Sequence, residues 1–112
     1  MLIKTHEASG LVLDWMVAVA SKHPSRTCVG LFDFWDYCFN PSTNWVQGGS
    51  IIEREKISVW WDGVWHAKYD GCRPDQVQDA DAPLIAAMRC YVASKLGDEV
   101  EVPDELVNEE TT

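Results

Sequence analysis

Basic residues are scarce in this chain. Nine Lys and Arg stand against eighteen Asp and Glu over 112 residues, a formal net charge of −9. That balance argues against duplex nucleic acid as a partner, because phosphate contacts need clustered Lys and Arg. The deficit is unevenly spread. Residues 98–112 hold seven of the acids and no base, which leaves residues 1–97 at only −2. A small anionic ligand held by one or two local donors stays compatible with such a body. Long apolar runs are missing as well: nothing approaches the ~20 residues that a membrane-spanning helix requires. The first residues, Met1-Leu2-Ile3-Lys4-Thr5-His6-Glu7, lack the charged-then-apolar layout of a secretory signal. No membrane is expected as a partner, and the expected compartment is the cytosol of the cell that makes the protein.

Motifs of catalysis and metal binding are also absent. Cys28, Cys38, Cys72 and Cys90 form no Cys-x-x-Cys pair, so they are expected to be small buried hydrophobes rather than zinc ligands. His6, His23 and His66 sit in no nucleophile–base motif. Walker and dinucleotide glycine patterns do not occur. The expectation is a binding protein rather than an enzyme, with no cofactor and no metal.

The length suits one domain, and hydrophobic and charged contents of 46% and 24% are those of a soluble globular chain. The expected fold class is α+β, a single domain over 1–97 followed by an acidic, partly disordered tail over 98–112. Residues 1–8 read as a short strand or a lead-in. Leu11, Val12, Trp15, Met16 and Val19 recur at helical spacing and predict a helix over about 10–22. Cys28 to Phe39, rich in aromatic residues, predicts a strand. Asp62-Gly63 between two aromatic runs predicts a hairpin of strands 57–61 and 64–69 with a two-residue turn. In that register Trp60 faces Trp65, Trp61 faces Val64 and Val59 faces His66. These three strands are expected to form one antiparallel sheet. Residues 70–81 read as a loop. The last helix, about 82–96, starts at Pro83 behind Asp81 or Ala82 and stops at Gly97. It carries a stripe of Leu84, Ile85, Met88, Tyr91, Val92 and Leu96, and a small-residue face of Ala86, Ala87, Cys90 and Ala93.

One stretch concentrates turn-forming residues and hydrogen-bonding side chains, Phe39 to Lys56. Asn40-Pro41-Ser42-Thr43 reads as a turn. Gly48-Gly49 allows positive φ or a close approach to the backbone. Ser50 with Glu53 reads as a capping box that starts a short helix over about 51–56. A glycine pair ahead of a helix start leaves free amides and outlines an anion site; the plainer reading is that the glycines turn the chain and Ser50 caps it. The candidate ligand-binding residues are Asn40, Ser42, Thr43, Asn44, Trp45, Gln47, Gly48, Gly49 and Ser50. Arg54 and Arg89 are added as charge donors and Trp60 as a second stacking surface.

Several stretches together resemble one family. They are Leu13-Asp14-Trp15, Asn40 through Gly49, Ile51 through Glu55, Trp65 with Ala67, and Ala82-Pro83-Leu84-Ile85-Ala86-Ala87-Met88-Arg89. The chain resembles the NinX-like proteins of tailed bacteriophages and prophages, small accessory proteins. Their pattern usually has Asp where Asn44 stands and often Pro where Ser50 stands. The resemblance implies a phage-encoded protein acting in the cytoplasm of an infected bacterium, and it carries no activity to transfer. Combined with the site chemistry, it leads to the expectation of a counter-defence protein that sequesters a small anionic or nucleotide-like immune signal without cleaving it. The alternatives are a protein–protein inhibitor of a host defence factor, using exposed aromatics and acidic surface, and a small hydrolase. Six tryptophans exceed the needs of so small a core, which predicts a homo-oligomer, most simply a dimer.

Overall fold

A computed structural model describes residues 1–21, 40–69 and 77–104. The fold is α+β. Strand β1 (Leu2–Lys4) and a 3-10 turn (Thr5–Glu7) lead into helix α1 (Gly10–Ser21). Helix α2 (Trp45–Glu55) precedes the hairpin strands β2 (Ile57–Trp61) and β3 (Trp65–Tyr69). Strand β4 (Gln78–Ala80), helix α3 (Pro83–Leu96) and strand β5 (Glu99–Glu101) follow. The predicted strand 28–39, with Cys28 and Cys38, lies outside the described residues, as do Cys72 and the end of the tail.

The core forms around α3. Leu84, Ala86, Ala87, Met88, Cys90, Tyr91 and Val92 are all buried, so the predicted large-residue stripe and much of the small-residue face are both covered. The alanines let neighbours approach closely, and α3 touches α1, α2, β2, β3, β4, β5 and the 3-10 turn. Helix α1 contributes Val12, Leu13, Met16, Val17 and Ala18 at three-to-four-residue spacing. Trp15, expected beside Met16 in the buried stripe, is only half-buried and packs on the edge of this core.

The three-stranded sheet has the order β2-β3-β4 and is antiparallel throughout. Its third described strand comes from the stretch predicted as loop. Hairpin register differs from the prediction by one residue. Trp61 pairs with Trp65, Trp60 with His66 and Val59 with Ala67, across a three-residue connection in which the Asp62 amide donates to the Val64 carbonyl at 2.9 Å. The predicted type I′ turn needs positive φ at both central residues, but only Gly63 adopts it, at 81°. Because strand faces alternate, one residue of slip exchanges partners and faces. Ile57, Val59, Trp65, Ala67 and Tyr69 belong to the packed face, with Trp61 edge-on to Trp65 at a centroid distance of 5.4 Å. Trp60 is turned to the other face, stacked on His66 at 5.3 Å.

The second sheet pairs β1 with β5. Thr5 fastens its end: the Thr5 amide donates to Asp98 O and the hydroxyl to Gly97 O, both at 2.7 Å. Val100 and Val102 are buried beneath it. The Met1 amine donates to Glu101, Val102 O and Asp104. The folded body therefore extends beyond Gly97, where the sequence predicts a tail to begin, because alternate residues of the acidic segment are valines that reach the core.

Helix α2 shows the largest departure. It starts at Trp45 rather than Ile51, so Gly48 and Gly49 lie inside a helix. Each glycine costs a helix interior roughly 1 kcal/mol relative to Ala, and tertiary packing overrides that cost at Gly48. A Cβ there would collide with the Pro41 carbonyl oxygen and Leu84 Cδ2. At Gly49 the nearest atom to a Cβ, on the Trp45 ring, lies at 4.0 Å. The adjacent glycines thus make opposite predictions. Gly48→Ala is expected to destabilise by about 1–3 kcal/mol through overpacking. Gly49→Ala is expected to stabilise by roughly 0.5–1 kcal/mol through helix propensity. Urea denaturation of the two variants checks both signs.

Candidate functional site

The stretch Asn40–Asn44 is held from three sides. Asn40 O accepts from the Thr43 and Asn44 amides at 3.1 and 2.9 Å, which closes the predicted turn. The Asn40 amide donates to Gln47 Oε1 at 2.7 Å. The Ser42 amide donates to Asp14 Oδ1 at 2.8 Å, a buried bond that ties the turn to α1. Asn44 then caps α2: its Oδ1 accepts from the Val46 and Gln47 amides at 2.9 and 3.3 Å. The predicted cap, Ser50, instead donates to Val46 O at 2.7 Å within the helix.

These bonds remove the anion site from where the sequence outlined it. The Gly48 amide donates to Asn44 O at 2.8 Å, and the Val46 and Gln47 amides are taken by the Asn44 side chain. The close approach that Gly48 permits is to the protein's own Pro41 and Leu84. Nor do the arginines gather there. Arg54 donates to Glu55 Oε2 at 2.9 Å and to the Tyr91 hydroxyl at 3.3 Å, with its guanidinium 5.8 Å from the Tyr91 ring centroid. Arg89 donates to Ala8 O at 2.7 Å and Asp79 O at 2.8 Å. Burial lowers the pKa of Arg89, offset in part by the charges of Asp79, Asp81 and Glu7. It clamps the lead-in to α1 against β4. Trp60 lies on the open face of the hairpin.

Three of the nominated residues do converge. Ser42, Thr43 and Trp45 line one wall of a groove of about 240 Å³, and Ala82, Pro83, Leu84 and Ile85 line the other. Trp45 is 59% exposed and presents its ring at the rim. The far wall is the start of α3, whose N-cap is Ala82, a side chain that cannot accept from the first turn. The first helical amides have no partner inside a helix, and Pro83 has no N–H. Leu84 and Ile85 therefore carry the two uncapped amides, since the Ala86 amide already reaches Ala82 O. Ser42 is 3% exposed, and among the described residues its Oγ, itself buried, has no hydrogen-bond partner. The four residues from α3 were not nominated from sequence. The signal was present: Ala82-Pro83 starts a helix with no Ser, Thr, Asp or Asn at the cap.

A second polar cluster was also missed. Glu55 accepts from the Tyr69 hydroxyl at 2.7 Å and from Arg54, with Lys95 Nζ 3.5 Å away. The Tyr69 hydrogen bond first, then Arg54, lowers the Glu55 pKa, and the Glu55 carboxylate raises that of Tyr69. Because α2, β3 and α3 each contribute, the cluster fastens the end of α2 to the core.

The class is thus a small α+β protein with an apolar groove between two helix starts, in which Arg54 and Arg89 are engaged by internal bonds. Among the described residues no three His, Cys, Asp or Glu gather to hold a metal ion, and no helix is long and apolar enough to cross a membrane. Residues 4–95 match the family described as Bacteriophage P22, NinX, and the chain belongs to that family. Among curated proteins, none matches the chain. All seven groove residues fall in stretches that carry the family resemblance, Asn40–Gly49 and Ala82–Arg89.

Two outcomes test this local architecture. Asn44→Ala is expected to lose about 1 kcal/mol of stability as the α2 cap disappears, while Asn44→Asp, the residue usual in the family pattern, keeps the same acceptor beside the helix dipole. Chemical denaturation distinguishes them. The second concerns pH. A carboxylate whose folded pKa is depressed contributes stability above its unfolded pKa and loses it as pH falls through the folded value. Wild type is therefore expected to be more stable than Glu55→Gln at neutral pH, with the gap closing as pH falls below about 4. A gap that persists unchanged in acid would contradict the role given to Glu55.

Proposed function

We propose that this phage protein is a non-catalytic binding protein whose working surface is the groove between the starts of α2 and α3. There it sequesters a small, planar, nucleotide-like molecule of the infected cell. Counter-defence by withholding an immune signal is the purpose that fits a phage accessory protein of this kind. The observation that carries the reading is the pairing of surfaces at the groove. Trp45 offers an exposed ring for stacking, and the opposite wall offers two uncapped amides. Stacking of a base on an aromatic ring contributes ~1–3 kcal/mol and tolerates any base. Among the described residues no Lys or Arg lines the groove, which favours a ligand of little charge. That narrows the candidates away from heavily charged nucleotides.

A second reading is supported by the placement of acids. Glu99 and Glu101 are exposed on a folded strand, beside Asp98 and Asp104. Trp60, Trp61 and Val64 are exposed on the hairpin. A protein inhibitor of a host factor would dock through such surfaces.

Thermal denaturation against a panel of mononucleotides, cyclic di- and trinucleotides and ADP-ribose derivatives separates the two readings. A ligand at 100 times its Kd is expected to stabilise the fold by about 2.7 kcal/mol, and Trp45→Ala is expected to lose that shift while staying folded. Silence across the panel, with a host protein bound through Trp60 and Trp61, would replace sequestration by protein docking.

A further inference from the structure

We infer that Gly49 is a positioning residue for binding: having no side chain, it leaves the Trp45 ring uncovered for stacking. This rests on the groove being the binding surface and adds what keeps its aromatic wall open. Gly48 and Gly49 both lie inside α2, where glycine is a poor helix former because it loses the most backbone freedom on ordering. Packing accounts for the first. A Cβ at Gly48 would collide with the Pro41 carbonyl oxygen and Leu84 Cδ2. Packing does not account for the second. Gly49 does not adopt positive φ. Among the described residues a Cβ there would meet only the Trp45 ring, at an ordinary contact distance of 4.0 Å from Cε3. Neither backbone conformation nor crowding demands glycine at this position. A residue that weakens its own element without a packing gain is characteristic of places where function overrides local preference.

The neighbour that gains from the missing side chain is Trp45. Residues i and i+4 of a helix lie one above the other on the same face, and an aromatic ring packs against an apolar side chain at that spacing. Position 49 is the i+4 neighbour of Trp45. With glycine there, Trp45 stays 59% exposed at the rim of the groove. A leucine there would complete the helical pair and lay its methyl groups on the ring. An aromatic surface covered in this way has no room for a base, and its stacking contribution is lost. The ligand that such an open ring favours is one with a flat ring system of its own.

The test compares Gly49→Ala and Gly49→Leu with wild type in the full-length 15N-labelled protein. Both variants are expected to raise the thermal midpoint, because both residues are better helix formers than glycine. Adenosine is the probe, followed at the Trp45 indole N–H. Its affinity is expected to fall about tenfold in Gly49→Leu, the scale of one lost stacking contact, and to stay within about twofold of wild type in Gly49→Ala. A glycine with a merely structural role would not raise stability and weaken binding in the same variant. A soluble nitroxide reads the ring without any ligand: its broadening of the Trp45 ring signals is expected to fall in Gly49→Leu and to persist in Gly49→Ala. Undiminished adenosine binding by Gly49→Leu, or undiminished broadening of its Trp45 ring, would overturn the inference while leaving the groove reading in place. No adenosine response in wild type overturns the groove reading itself, and the stacking role of Gly49 with it.

Discussion

The close approach of Gly48 to Pro41 and Leu84 is the contact on which the arrangement of the two helix starts depends. It is made possible by a missing side chain, and a Cβ would occupy the space that the Pro41 carbonyl and Leu84 now fill. The same physics operates along α3, where Ala86, Ala87 and Cys90 are buried among neighbouring elements. Interiors are close-packed, so removing volume from one surface lets a neighbouring element move in. Here α2, the sheet and α1 all close on one helix. That geometry brings the turn before α2 level with the first turn of α3, and the groove is what remains between them.

Once α2 is seated, the polar bonds of the turn follow. Asp14 receives the Ser42 amide, Gln47 receives the Asn40 amide, and Asn44 caps the helix. Each satisfies a backbone group that would otherwise be buried or orphaned. Most of the hydrogen-bonding richness of Phe39–Lys56 is thus absorbed by the fold. What escapes absorption among the described residues is small and specific: the exposed Trp45 ring and the start of α3, where the Ala82 side chain makes no cap bond. A candidate site built this way is a residue of folding demands rather than a motif, so searches for motifs pass over it.

Legibility in sequence followed the range of the interaction. Helices α1 and α3 were legible because apolar spacing reports one buried face, and the hairpin was legible from Asp62-Gly63. The NinX family was legible from its blocks, and residues 4–95 match it. Register was not, since it depended on whether Asp62 would adopt positive φ, and nothing local decides that. Strand β4 was hidden because Gln78-Asp79-Ala80 has no strand-like composition; it is held by pairing to β3 and by Arg89 on the Asp79 carbonyl. Strand β5 was hidden by its acids, which obscure the buried alternation of Val100 and Val102. At Gly48-Gly49 local propensity pointed to a break, and a contact with Leu84, far along the chain, reversed it. Of the candidate site, Ser42, Thr43 and Trp45 were nominated in sequence as a polar turn followed by a tryptophan; that the Trp45 ring is exposed came from the fold. The opposite wall was not, because it is marked by the absence of a cap.

The distribution of cations follows from the same constraint and shapes the chemistry left for binding. Arg89 is held by two backbone carbonyls and Arg54 by Glu55 and Tyr91. A guanidinium engaged in this way cannot turn to a ligand without leaving a carbonyl or carboxylate unsatisfied, and that loss is comparable to the hydrogen bond it would gain. Among the described residues the groove therefore offers an aromatic face and the backbone of a helix start rather than basic side chains. Such groups are oriented by the helix and involve no ordering of long side chains on binding.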